Sequence, residues 1–347
     1  MGENTSTYPP SQRMTVIDAL RGFALLGVIL MHMIDHFGYT TVNGSSTTSP
    51  VIWDTLAQWF TQIMIRGKFI SIFSFLFGLS FYIQMDRASK KGVDFRKRFL
   101  WRMILLFLIG LVGTCFTYVD ILPIYAVFGV ILVFLFPLKN WILLLIVCLL
   151  LIGLPNWLII GFDNIRFENV INEQIAPTIT SSTREQHVEW ETSQNATFFQ
   201  TARENLTVKT INKLKFQFIY SSSGYLILAL FISGFIVGRY RFFEQVHIRK
   251  KRNKMLFFMF LTSTLITLIA IKFLPNTSID LLTIRATGGH VPFISLVISA
   301  LQSIHVITLS ATLAMGFIVL YQIAGIQKYL NLLTPYGRMG LTNYEIQ

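Results

Sequence analysis

Apolar runs of about twenty residues recur along the chain, and short polar or basic stretches separate them. A run of that length, wound as an α-helix, crosses the ~30 Å hydrocarbon core of a bilayer. The pattern therefore predicts an all-α, polytopic membrane helix bundle. Its spans fall near Thr15–Phe37, Phe69–Gln84, Phe99–Tyr118, Ile121–Leu138, Trp141–Phe162, Gly224–Gly238, Met255–Leu274 and Ser303–Ile323, with a ninth if the terminal segment adds one. The runs are continuously apolar rather than alternating, which excludes a β-barrel. Trp53–Arg66 is mixed and reads as an interfacial lead-in to the second span. Val291–Ala300 is either interfacial or the start of one long tilted helix. The whole chain, 1–347, is read as one integral membrane domain. Met1–Gln12 is polar and flexible, and Asp163–Ser223 is a long polar excursion, either a helical cap or a solvated loop.

Composition agrees: 53% of residues are hydrophobic, 13% are charged and the mean hydropathy is +0.58. A soluble domain carries about 25% charge. The net charge of +12 resides mostly in two basic stretches, Arg87–Arg102 and Arg239–Lys254, whereas Gly38–Ile52 has no lysine or arginine. The positive-inside rule then puts both basic stretches and the N-terminus in the cytoplasm, and 163–223 outside. The expected location is a cell membrane of the bacterial plasma-membrane type, with membrane lipids as partners. Loop charge of this kind is not a nucleic-acid footprint. Cys115 and Cys148 lie inside apolar runs and read as small core residues, with no disulfide or metal role. The first segment is too long and too charged for a signal peptide.

That first segment carries the chemistry. Asp18, Arg21, His32, Asp35 and His36 all lie in or at the edge of one apolar run. Ionisable groups in a spanning helix face a bundle interior and mark function, or hold helices together. Eleven residues return a helix to within about 20° of the same direction, so Asp18, Arg21, His32 and His36 share an arc of about 60°, with His32 about 16 Å along the axis from Arg21. His32 is placed as a general base. Arg21 stabilises an oxyanion or holds a donor phosphate, or snorkels to the interface. Asp18, one turn earlier, orients Arg21. His305 lies in a late span and reads as a core histidine bonded to a neighbour, and no spacing suits a metal.

The run "IDALRGFALLGVILMHM" resembles the opening of the YeiB-like membrane proteins, domain-of-unknown-function family 418. "RGKFISIFSFLFGLSFYIQM", "DILPIYAVFG" and "GRMGLTNYEIQ" are similar to three later blocks of that family, in order. The family sits with the wider transmembrane acyltransferase superfamily, and the Arg-x10-His spacing is similar to the first-helix motif of acyltransferase-3 enzymes. The resemblance implies transfer of an acyl group from an acyl-CoA-type donor to a hydroxyl acceptor across the membrane, an envelope glycan or lipid, with acyl-CoA a co-substrate and no tightly bound cofactor. On that reading Arg98, Arg102 and Arg338 are donor-binding candidates, and Lys68, Asp120, Asn343 and Tyr344 are substrate-binding candidates. Bland roles stand beside these. Arg98 and Arg102 anchor a cytoplasmic loop, Lys68 snorkels at a helix start, and Asp120 caps the helix that follows.

Two departures matter. The third span reads Gly110-Leu-Val-Gly-Thr where many relatives carry a second histidine, so Gly113 replaces it. The chain also ends at Gln347 inside the final signature, so truncation or loss of terminal helices is expected. A small-solute transporter is the first alternative, favoured by intramembrane charge and opposed by the lack of an inverted repeat or paired broken helices. A non-catalytic scaffold is the second. No sequence feature sets the acyl chain, the acceptor or the oligomeric state.

Overall fold

In a bilayer core no water satisfies the backbone, so apolar segments must close their hydrogen bonds within themselves. The computed structural model describes residues 14–36, 56, 59–117, 120–170, 197–274 and 292–345, and its ordered elements are all helical. They are α1 (Thr15–His36), α2 (Lys68–Ser89), α3 (Arg96–Phe116), α4 (Leu122–Leu135), α5 (Asn140–Ile152), α6 (Leu154–Val170), α7 (Phe198–Glu204), α8 (Thr210–Lys215), α9 (Ser223–Arg239), α10 (Lys250–Phe273), α11 (Phe293–Tyr321), α12 (Ala324–Leu330), α13 (Leu333–Arg338) and α14 (Gly340–Glu345). π-helical turns at Thr61–Ile65, Asn205–Lys209 and Phe216–Tyr220 extend or join them.

Five helical stretches among the described residues are long and apolar enough to span a membrane, or up to seven if two bent pairs each count once. Eight or nine were expected, and specific breaks account for the difference. α4 has only 14 residues. The predicted span Trp141–Phe162 is bent by 51° between α5 and α6. Gly153 takes φ +80° there and its N–H closes on Leu149 and Leu150 carbonyls, a left-handed helix end that glycine accommodates. A second pair bends by 70° where Ser221 is extended ahead of α9. Conversely, Phe293–Ala300, within the segment read as either interfacial or the start of a long helix, begins α11, one helix of 29 residues, and Val291 lies outside the described residues. The segment after Ile323 forms three short helices. Residues 171–196 of the predicted polar excursion lie outside the described residues, and its later part is helical from Phe198.

The chain divides into two compact units. One comprises Met1–Phe73, Tyr240–Thr262 and Leu309–Gln347, the other Ser74–Arg239 and Ser263–Thr308. In the second, α2 and α9 touch backbone to backbone. A Cβ at Gly78 would overlap the Phe231 carbonyl, and one at Gly234 the Phe75 carbonyl. Small residues permit such close crossings in membranes, where dispersion replaces hydrophobic driving force. Aromatic rings pack around the crossing: Phe77 stacks on Phe231 at 4.7 Å and Tyr125 meets Phe231 edge-on at 4.9 Å. The buried Tyr125 hydroxyl shares a 2.5 Å hydrogen bond with Ser74. Arg239, at the end of α9, donates to the carbonyls of Phe136 and Leu138 and to Asn140 Oδ1, closing the α4–α5 turn.

In the first unit α1 buries Ala19, Leu20, Ala24 and Leu25, while Leu26, Leu30 and Met33 stay exposed. Phe23 lies between Phe317, stacked at 5.1 Å, and Phe69, edge-on at 5.2 Å. Tyr321 donates its hydroxyl to Asn331 Oδ1 at 2.5 Å and lies 3.1 Å from Thr15 Oγ1, tying α11, α12 and the start of α1 together.

Gly78→Val and Gly234→Val should each lower stability by about 1–3 kcal/mol through overpacking against a carbonyl. Gly161→Ala, whose Cβ meets open space, should be neutral. Thermal melting of the purified proteins in one detergent checks this, and equal melting of all three variants would refute the crossing.

Candidate functional site

The polar face of α1 is covered by the C-terminal segment. The approach is close because both sides carry glycine. A Cβ at Gly337 would overlap the Asp18 carbonyl and crowd the Gly22 amide, and one at Gly22 would overlap the Leu333 carbonyl. α13 therefore lies on the first turns of α1. Asp18 bridges the two helices: its Oδ1 accepts from Arg21 Nη1 at 3.1 Å, and its Oδ2 lies 3.6 Å from Arg338 Nε. The Asp18 side chain is 8% exposed, Arg21 is 24% exposed and Arg338 is 44% exposed. The cluster is thus open to an incoming group from the Arg338 side, and its three charges sum to +1.

α14 continues along α1. Asn343 Nδ2 donates to the Tyr336 carbonyl at 2.7 Å, fixing the bend between α13 and α14. Tyr344 is buried, and its ring meets His32 edge-on with centroids 5.8 Å apart and planes at 70°. Four of the residues singled out in α1 and the last signature block, Asp18, Arg21, His32 and Tyr344, therefore meet across one helix pair, joined by Arg338. The Asp18–Arg21 pairing follows the expectation from spacing. Arg338, a donor-binding candidate, reaches with its guanidinium across to Asp18 while its side chain stays 44% exposed. Asp35 and His36 side chains lie outside the described residues.

Lys68 opens α2. It is 6% exposed, and its ammonium donates to the Gln62 carbonyl at 3.0 Å. The next residue, Phe69, puts its ring on α1 where Gly27 leaves room for it.

The remaining candidates lie in the second unit. Asp120 caps α4, with Oδ1 accepting from the Leu122 amide at 3.0 Å, and its carbonyl accepts from Lys213. Arg102 donates to Gln84 Oε1 at 2.7 Å and lies over the Phe95 ring at 5.3 Å. Arg98 is exposed. His305 Nδ1 lies 3.0 Å from Thr267 Oγ1, between α10 and α11. Sequence reasoning missed the Arg239 and Lys213 contacts, which join residues 93 to 103 positions apart and leave no local pattern.

Residues 13–180 match the sequence model described as "Heparan-alpha-glucosaminide N-acetyltransferase, catalytic", and residues 237–347 match "Protein of unknown function (DUF418)". The chain is 34% identical over 141 residues to an uncharacterized 39.9 kDa protein from the amylase 3' region of Bacillus acidopullulyticus, a stretch covering 41% of this chain and 39% of that one. It is 32% identical over 130 residues to the uncharacterized protein YxaH of Bacillus subtilis strain 168, covering 35% and 32%. The match thus spans about two fifths or less of the length of these relatives. No solved structure matches the chain. The two family matches and the two relatives support a DUF418, YeiB-like family of helical membrane proteins, and the first match suggests a transmembrane acetyltransferase-like family.

Asp18→Asn should lower stability by about 3 kcal/mol, the low end for breaking a buried pair, because it leaves two guanidiniums facing each other. Arg338→Gln should lower it by about 1 kcal/mol or less, since that side is half exposed. Melting of the two single variants and the double variant checks this, and equal losses would show that Asp18 does not bridge.

Proposed function

We propose that the protein is a membrane acyltransferase that moves an acyl group from a cytoplasmic acyl-CoA-type donor to an extracytoplasmic hydroxyl of an envelope glycan or lipid, in a bacterial plasma membrane with the N-terminus inside. The observation that carries this is the acetyltransferase-family match over 13–180, which contains α1, together with the histidine–arginine face that α1 presents to α13 and α14. His32 takes the acceptor proton as general base, and Tyr344 fixes the imidazole edge-on. Arg21 and His32 are about 16 Å apart along the helix, too far to act on one carbonyl. That separation favours donor-phosphate binding for Arg21 over an oxyanion role, because the extended pantetheine arm of coenzyme A places its phosphates well away from the thioester. Arg338 shares that task from its exposed side, and Asp18 orients both guanidiniums. Asn343 holds the turn carrying Tyr344. Arg98, Arg102 and Asp120 are assigned no chemical step.

The matched family's name specifies N-acetylation of a glucosaminide, so an amine is the second acceptor to test. A transporter gains one specific observation, the two bent helix pairs, since broken helices line solute paths in transporters. A proton or voltage response to added solute in proteoliposomes is what that alternative requires.

Purified protein titrated with acetyl-CoA and longer acyl-CoAs should bind saturably. Arg21→Ala should weaken binding by roughly tenfold or more, the scale of one lost charge-assisted contact, and Arg21→Lys should retain part of it. His32→Ala should bind normally and lose thioester hydrolysis and transfer to hydroxyl or amino sugars. Absence of binding by well-folded protein, or full turnover by His32→Ala, would overturn the proposal.

A further inference from the structure

Two apolar segments of the second unit break, and the breaks meet. α5 and α9 pack side by side. Arg239, at the end of α9, donates to Asn140 Oδ1 at the start of α5, so the two helices share one end and run antiparallel. Gly153 lies 13 residues beyond Asn140, and Ser222 lies 17 residues before Arg239. At ~1.5 Å of rise per residue, both breaks stand about 20–25 Å from the shared end, inside a hydrocarbon core of ~30 Å. There Asn156, in the first turn of α6, donates through Nδ2 to Ser222 Oγ at 3.3 Å and joins one break to the other. Non-helical backbone at membrane depth is tolerated where protein buries it or where it lines a cavity, and broken helices hold ligands at their breaks.

The polar groups at this junction do not satisfy one another. Asn156 is 1% exposed, and its Oδ1 has no hydrogen-bond partner among the described residues. Gln217 stands on the π-helical turn Phe216–Tyr220, which packs on α6, and its buried Oε1 is unpartnered as well. Pro155 has no N–H, so the Leu151 carbonyl loses its helical donor. Buried polar atoms in a native fold have partners, and here the chain does not supply them. Gly153 leaves space beside them. A Cβ at Gly153 would come no closer than 3.5 Å to Ser222 Oγ and 3.7 Å to the Trp157 indole nitrogen. One further heavy atom therefore fits over Gly153, between a hydroxyl and an indole N–H. Trp157 is half-buried and braced edge-on by Phe293 at 5.3 Å.

Amides, a hydroxyl and an indole N–H donate and accept without carrying charge, so the junction favours neither an anion nor a cation. A hydroxyl, which both donates and accepts, matches it, and Trp157 adds a large apolar surface. We infer that the junction of the two broken segments is a binding site for a neutral hydroxylated ligand, a sugar or polyol. One hydroxyl sits over Gly153 between Ser222 and Trp157, and the Asn156 and Gln217 amides take its neighbours. The site needs no turnover and does not rest on the acyltransferase reading. Its hydroxyls come either from a free sugar or from the sugar headgroup of a glycolipid.

Titration of the full-length protein, followed by tryptophan emission and by melting, tests this. The probes are glucose and mannitol in detergent, then nanodiscs with and without glucosyl diacylglycerol, with inorganic phosphate and tetramethylammonium as charged comparisons. Wild type should respond saturably to a neutral probe and not to the charged ones. A response to free sugars assigns a soluble ligand, and a response to the glycolipid alone assigns a headgroup. Trp157→Phe should silence the emission change, and Asn156→Leu should weaken binding about tenfold or more. If Asn156→Leu does not fold, Ser222→Ala reports on the same junction through the loss of one hydroxyl. Sugars also stabilise proteins by exclusion from their surface, so an unsaturable rise in melting that Asn156→Leu keeps would overturn the site. So would an equal response to a charged probe, or no saturable response by wild type. Sugar binding without acyl turnover would keep the site and remove the acyltransferase reading. Turnover without neutral-ligand binding at the junction would do the reverse.

Discussion

A carboxylate inside an apolar helix must be neutralised, and Asp18 is neutralised from both sides. Arg21 reaches it from its own helix and Arg338 from α13. The first contact is local and would form in any helix with this spacing. The second sets the register of the C-terminal segment against α1, and glycine on both faces lets the backbones approach closely enough for it. Once Gly337 is seated on Asp18, the short helix beyond it runs along α1, and Tyr344 arrives at His32. An ionic constraint at one end of the helix pair thus aligns an aromatic contact at the other.

Between those two levels lies an apolar layer. On that face it is the fully buried Leu25, which lies with Arg21 against Gly340, while Phe23 and the Phe69 ring at Gly27 pack on the other side of α1. The guanidiniums and the imidazole share a helix face, with Leu25 between them along it. In the proposed reaction this suits a donor whose charged end stays at Arg21 and Arg338 while its acyl end is threaded to His32. Two polar sites with an apolar layer between them limit water and proton leakage better than one continuous polar channel.

The face of α1 was legible because it depends only on helical period, and so was the cap at Asp120, which needs only an acid ahead of an apolar run. The partners were not. Arg338 meets Asp18 across 320 positions of sequence, and hydropathy carries no information about such a pairing. Hydropathy also gave a higher span count than helix length alone supports among the described residues. It registers the apolar content of Leu122–Leu135 but not that fourteen residues fall short of a bilayer, and it passes through Gly153 without registering a left-handed turn. The long α11 was one of two alternatives left open, since a continuous apolar run looks the same tilted or broken.

The cations named above, all among the described residues, fall into three physical situations. Arg239 and Lys213 close helix ends by donating to carbonyls, as Arg102 donates to Gln84. Arg21, Arg338 and Lys90 pair with carboxylates. Arg98 is exposed, where headgroups and water meet it. Lys68 belongs with the first group, since its ammonium donates to the Gln62 carbonyl of the preceding π-helical turn, and it is more buried than Arg21 or Arg338.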